Sequence, residues 1–136
     1  MPPRSVAQAA GAGGSPRLAL AHLALDAALG VPDVVGGEAD PAGLRVTADL
    51  SAGLLLRGVS VTAEADGRYA IDLRLRARVV PLVPLGNEIE RRVQARADRN
   101  GLADQVGPVR VEFARVLTPE EVERERAARD QLRVHP

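Results

Sequence analysis

Residues 59–80 read VSVTAEADGRYAIDLRLRARVV, two runs of alternation separated by a turn signal. Val59, Val61, Ala63 and Ala65 alternate with Ser60, Thr62, Glu64 and Asp66, while Tyr69, Ile71, Leu73, Leu75, Ala77 and Val79 alternate with Asp72, Arg74, Arg76 and Arg78. Successive side chains of a strand point to opposite faces, so this is a β-hairpin with one apolar and one wet face. Paired residues must share a face, and that sets the register. A two-residue Asp66-Gly67 loop would put Val61 against Asp72, inside against outside. A three-residue loop, Ala65-Asp66-Gly67, with Gly67 in the left-handed position of a bulged turn, puts Val61 against Ile71 and Val59 against Leu73. It also predicts an ion pair between Glu64 and Arg68 across the turn.

On either side of the hairpin the period changes. Ser15-Pro16 has the form of an N-cap followed by proline at the first helical position, and Leu18, His22, Leu25 and Leu29 then recur at helical spacing. Gly30 and Val31-Pro32 stop that helix. Between Gly36 and Gly58, Gly36-Gly37, Asp40-Pro41 and Gly43 mark turns, and Leu44–Leu50 alternates like one short strand. Beyond Pro81 and Pro84, Leu85, Ile89, Val93 and Ala97 form the apolar stripe of an amphipathic helix, Pro84–Arg99, which Asn100-Gly101 ends. Val109, Val111 and Phe113 alternate with Arg110 and Glu112 as a third core strand. Thr118-Pro119-Glu120-Glu121 is a capping box, opening a helix to about Leu132 whose mixed charges predict Glu120–Arg124 and Glu125–Arg129 pairs on a solvated cylinder. The predicted fold is α+β: a small two-layer domain with a mostly antiparallel sheet, a long hairpin and helices packed on one face, in the order α-(β)-β-β-α-β-α. Residues 1–14 read as a flexible arm, 15–117 as a single domain and 118–136 as a charged C-terminal helix and tail.

Composition narrows the chemistry. The 136 residues carry 18 basic and 18 acidic side chains, for a net charge of zero, which fits one domain and weighs against a free-standing binder of nucleic acid or anionic membrane. No cysteine is present, so thiolate metal sites, redox motifs and cysteine nucleophiles are excluded. All the basic residues are arginine, which reads as codon bias in the genome and favours surface salt-bridge lattices. The arm lacks the sustained apolar stretch of a secretory signal, and Leu54-Leu55-Leu56 falls far short of the ~18 apolar residues of a membrane span. A cytoplasmic protein is expected, without direct membrane insertion and at most peripheral to a membrane through a partner.

Catalytic patterns are sparse. His22 lies in a helical stripe, where a boundary histidine packed beside the core explains it better than a general base, and His135 is penultimate. Gly11-Ala12-Gly13-Gly14 follows no strand and reads as linker rather than phosphate loop. Asp66 is explained by the turn, Glu64 by Arg68, and Asp72 by neighbouring arginines. The chain is therefore read as a non-enzyme, with no catalytic, cofactor-binding or metal-ligating residue and no cofactor. The sharpest feature is the stripe Arg74, Arg76 and Arg78, which period-two spacing places on one solvent face, with Arg110 beside it. This candidate interaction surface suits an acidic partner, a lipid head group or nucleic acid. Sheets that bind nucleic acid interleave aromatics for stacking, but here Tyr69 and Phe113 fall on the apolar side, and Glu64, Asp72 and Glu112 neutralise part of the face. An RNA-binding module with a KH-like arrangement using the arginine face is the alternative reading, although the GxxG clamp of those folds is absent.

The helix ending in Ala27-Ala28-Leu29-Gly30-Val31-Pro32-Asp33-Val34-Val35, the hairpin, the Pro-led helix 84–99, Gly101-Leu102 and the strand Val109–Phe113 together resemble the bacterial alkaline shock protein family, also called general-stress or envelope stress response proteins. The resemblance covers about Leu18 to Leu117 and rests on spaced small and apolar positions, without a catalytic motif. It implies a non-enzymatic cytoplasmic binding or scaffold protein acting through protein–protein contacts, with a partner that in some members is membrane-anchored. Open sheet edges would also admit a homo-oligomer. The Gly36–Gly58 connection, the Pro81/Pro84 break and the charged C-terminal helix depart from the family's usual form.

Overall fold

The computed structural model describes residues 16–134; the arm at 1–14, the Ser15 cap and His135 lie outside the described residues. In chain order the elements are α1 (Pro16–Leu29), β1 (Val34–Gly37), β2 (Val46–Asp49), β3 (Leu54–Arg57), β4 (Val59–Ala63), β5 (Tyr69–Arg78), α2 (Leu82–Arg99), a single 3-10 turn (Ala103–Gln105), β6 (Val106–Leu117) and α3 (Pro119–Val134). Strand β5 is the axis of the main sheet. β4 pairs with its first half antiparallel in the predicted register, Val61 against Ile71 and Val59 against Leu73. The turn is the three-residue loop, with Gly67 at φ 87° and the Glu64 N–H donating to the Arg68 carbonyl at 2.8 Å. The predicted Glu64–Arg68 ion pair does not form. Those residues meet through their backbones, and the Asp66 carboxylate accepts the Arg68 N–H at 3.0 Å, since an exposed pair in water gains little over solvation.

The second half of β5 pairs antiparallel with β1, Val34 against Ala77 and Gly37 against Leu75. Both partners lie on the same edge. In an extended strand the N–H and C=O of one residue point to one side, and the Arg74 N–H donates to Gly58 while its C=O accepts from Glu38. Strands β4 and β1 therefore meet end to end along β5, at Gly58 and Gly37. The other edge of β5 pairs with β6, and this pairing is parallel, with Ile71 against Val109 and Leu73 against Val111. A parallel neighbour needs a crossover, and α2 is that crossover. The remaining pairings are antiparallel, including the separate β2–β3 ribbon.

Helices α1 and α2 cover the apolar face of the sheet, giving a small two-layer α+β domain. Leu85, Ile89, Val93 and Ala97 are the buried stripe of α2, as their spacing predicts, and they meet Ile71, Leu73 and Leu75 in one core. Helix α2 begins at Leu82, two residues before Pro84, because proline is tolerated in a first turn whose N–H groups have no intrahelical partner. It ends in a Schellman motif: Leu102 N–H to Ala97 O at 2.9 Å, Gly101 N–H to Asp98 O at 3.2 Å, Gly101 at φ 72° and Leu102 buried. On this helix Arg91 and then Arg92 hold the Glu88 carboxyl down to about 2.

Helix α1 turns a different face inward from the one its leucine spacing suggests. Leu20, Leu23, Ala24 and Ala27 are buried, whereas Leu29 is 45% exposed. The helix is apolar nearly all round, so several stripes fit its spacing and the close approach of the alanines selects among them. The Gly36–Gly58 connection also departs from one strand at Leu44–Leu50: it holds the tail of β1 and a second hairpin, β2–β3, with Val46 against Arg57 and Asp49 against Leu54.

Helix α3 is mostly exposed, as its charges suggest, but one side of its first turns is covered. Its capping box forms as expected, with Glu121 N–H to Thr118 Oγ1 at 3.2 Å and Thr118 N–H to Glu121 Oε1 at 2.9 Å. Val122 is buried, and Glu125 reaches Arg76 and Arg115 instead of Arg129. The helix therefore docks on the polar face of the sheet, opposite α1 and α2. No helix of the described residues is long and apolar enough to cross a membrane.

Candidate interaction surface

The alternation of β5 does put Arg74, Arg76 and Arg78 on the face opposite the core, but that face is not open. The Arg74 and Arg76 side chains are only 14% and 17% exposed. The chain after β1 supplies Glu38, which lies 3.6 Å from Arg74, 3.7 Å from Arg76 and 3.4 Å from Arg115. Strand β6 supplies Glu112, 3.5 Å from Arg74. Helix α3 supplies Glu125, one oxygen on Arg76 Nη1 and the other on Arg115 Nη2 at 3.2 Å. Arg74 also donates to the Ala39 carbonyl at 2.8 Å.

Three arginines thus face three glutamates, and the network is charge-balanced. Its logic lies in the parallel register, which sets Arg76 beside Arg115 and Arg74 beside Glu112. Two adjacent guanidinium groups repel unless carboxylates bridge them, and Glu38 and Glu125 each touch both. Gly36 makes room, since a Cβ there would lie 2.6 Å from Arg76 Nη2. The Nε atoms of Arg74 and Arg76 are buried without a hydrogen-bond partner among the described residues; their nearest carboxylate contacts, at 3.5 and 3.7 Å, are ionic rather than hydrogen-bonded.

The other two residues of the predicted stripe lie apart. Arg110 is exposed and pairs with Asp72 across the parallel register at 3.4 Å. Arg78, at the far end of β5, lines a cleft beside α3. The four arginines therefore do not form one continuous binding face: two are internal, one is an exposed pair and one is at a cleft.

Two features escaped the sequence reading. The first is Asp49, the buried polar residue of the described chain, whose Oδ2 accepts from His22 Nε2 at 2.7 Å while Oδ1 accepts from Ser51 Oγ at 2.9 Å and the Ala52 N–H at 3.2 Å. An ionised carboxylate only accepts, so the imidazole donates through Nε2. Ser51 spends its proton on the carboxylate and not on the imidazole, so the three residues form a clamp joining α1 to the β2–β3 ribbon. The second is the ribbon's surface. Leu44, Leu50, Leu54 and Leu55 are 57%, 90%, 50% and 59% exposed, with Arg57 exposed beside them. Leu54-Leu55-Leu56 is visible in the sequence as an apolar run, but a run that short does not say which of its residues face water.

The clamp has a pH signature. The His22 hydrogen bond first, then Ser51, hold the Asp49 carboxyl below its ordinary value of 3.8, with the Ala52 N–H adding to them against burial. The folded chain then binds this proton less readily than the unfolded chain, so the stabilisation is complete above the ordinary value and is lost as pH falls through the lowered one. Thermal melts from about pH 6 to about pH 2.5 should show a steeper loss for the wild type than for Asp49→Asn. Parallel curves would mean that the clamp carries no linked proton.

No protein-family model, no curated protein and no solved structure matches this chain.

Proposed function

We propose that this chain is a non-enzymatic binding or scaffold protein acting through protein–protein contacts, as its resemblance to envelope stress response proteins implies, and that the β2–β3 ribbon makes the contact. The observation that carries the reading is the ribbon itself, with four large aliphatic side chains standing out in water on a short two-stranded unit held by the His22–Asp49 clamp. Leu54 and Leu55 project to opposite faces of β3, so the ribbon offers apolar groups on both sides, and exposed apolar groups concentrated on one short unit mark interaction sites more often than scattered single ones. Arg57 is exposed among them without a carboxylate partner among the described residues, so the fitting partner is a protein with an apolar patch and an acidic rim. The arginine stripe supports an RNA-binding role less well, because Arg74 and Arg76 are already committed to Glu38, Glu112 and Glu125.

A photo-crosslinking residue at Leu55, introduced in the producing bacterium, should give a discrete protein adduct that the same residue at Arg110 does not. Leu54→Asp combined with Leu55→Asp should abolish the adduct formed from position 50 and reproduce the envelope-stress sensitivity of a deletion strain. A strain carrying both changes that resists stress like the wild type, with no adduct from position 55, would sink the reading. Light scattering on the purified chain identifies a second copy as the partner if the mass halves in the double variant.

A further inference from the structure

We propose that the cleft between the end of β5 and α3 is a binding site for a phosphate or phosphate-monoester dianion. It has a volume of about 170 Å³ and is lined by three arginines, Arg78, Arg126 and Arg129. Val34 and Val35 of β1 and Val122 and Glu125 of α3 complete the lining, whose surface is mostly polar with a smaller apolar part. The helix presents the site on one face, since residues 122, 126 and 129 recur at helical spacing. Val122 is buried against the sheet and Glu125 is tied down by Arg76 and Arg115, so the first turns of α3 are anchored. The cleft lies just beyond that anchor.

The charge there is unbalanced, in contrast with the neighbouring network. Glu125 is the one acidic residue in the lining, and both of its oxygens are engaged by Arg76 and Arg115. Arg126, at the open rim of the cleft, also reaches the exposed Glu123, whose carboxylate is not part of the lining. Arg78 and Arg129 have no carboxylate within 4.0 Å among the described residues. They line this small space together with Arg126, and like charges so placed favour an anion among them. The anion that fits is doubly charged and tetrahedral, because its oxygens accept from guanidinium forks arriving from several directions, whereas a planar monoanionic carboxylate is satisfied by one fork. The volume suits a phosphate with a short stem beside the valines. The site is independent of the leucine ribbon and stands or falls separately.

The test is titration of the full chain with inorganic phosphate at constant ionic strength, set by chloride, following the Arg Nε–H resonances and the melting temperature. Saturable shifts confined to Arg78, Arg126 and Arg129 are expected, with acetate at least tenfold weaker. Arg78→Gln and Arg129→Gln should each weaken phosphate at least tenfold, whereas Arg124→Gln, on the same helix but outside the lining, should leave it unchanged. Both cleft variants should fold, since neither arginine holds an ion pair in the described structure, and circular dichroism checks this. Ethyl phosphate binding more tightly than phosphate assigns the site to a monoester whose stem meets the valines; equal binding assigns it to free phosphate. A response to phosphate no larger than to chloride, or equal titration of wild type, Arg78→Gln and Arg129→Gln, overturns the proposal.

Discussion

Gly58→Ala is expected to cost about 3 kcal/mol or more, most of what a small domain has to lose. Gly58 has φ 101°, where a side chain is strained in any surroundings. Its surroundings are also closed. A Cβ there would lie 2.6 Å from Gly37 Cα, 2.8 Å from the Arg74 carbonyl oxygen and 2.9 Å from the Glu38 nitrogen. All three are backbone atoms, so no side chain can swing aside. Relief would have to come from separating β4 and β1 where they meet along β5, breaking the hydrogen bonds that Gly58 and Glu38 make to Arg74. Gly37 is the other half of the junction, since its added Cβ would meet the Arg57 carbonyl oxygen at 2.2 Å. Gly43→Ala is the control: φ 82° with nothing within 4 Å, so only the conformational cost of about 1–2 kcal/mol applies. Urea unfolding of the two variants separates the terms through their midpoints. A Gly58→Ala protein as stable as Gly43→Ala would mean that the junction opens without penalty.

That junction also shows why part of the fold was legible in the sequence and part was not. The β4–β5 register follows from alternation because both strands keep one face dry, and a slip by one residue would bring Asp72 or Arg74 into the core. The α2 stripe and the Thr118 capping box are legible for the same kind of reason, each being a local pattern with one geometric solution. Alternation does not encode direction, so Val109, Val111 and Phe113 announce a strand without announcing that it runs parallel to β5. Strands β1, β2 and β3 are four residues each, too short for a period to stand out, and Gly36-Gly37 reads as a turn although it completes a strand. The arginine stripe shows the limit most clearly. Period-two spacing correctly assigns Arg74 and Arg76 to the polar face, but what covers that face comes from residues 38, 112 and 125. Those contacts are ionic and distant in sequence, and they leave no apolar periodicity on α3 to betray its docking.

The docking of α3 is therefore expected to depend on charge more than on apolar burial, and Arg76 is where that can be tested. Arg76→Met should cost about 2 kcal/mol, because it leaves the largely enclosed Glu125 carboxylate with only the half-exposed Arg115 as partner. Adding Glu125→Leu should recover much of that loss. It takes away the under-compensated carboxylate and puts an aliphatic side chain against the new methionine, and exchanging both members of an enclosed ion pair for packed apolar groups is often neutral. Glu38 keeps Arg74 and Arg115 in the double variant, so its charge stays compensated. Glu125→Leu alone should cost less than Arg76→Met, since Arg76 retains Glu38 whereas Arg115 is half-exposed and resolvates. Arg110→Met, which breaks only the exposed pair with Asp72, should fall within about 0.5 kcal/mol of wild type. A double-mutant cycle by urea unfolding at low and high salt reads out the coupling, and helix content in the single variants reports whether α3 leaves the sheet. Strict additivity of Arg76→Met and Glu125→Leu would show that Val122 and the capping box alone hold the helix down. A coupling that survives high salt is the expected result, because ions screen exposed pairs such as Arg110–Asp72 far more than side chains as enclosed as Arg76.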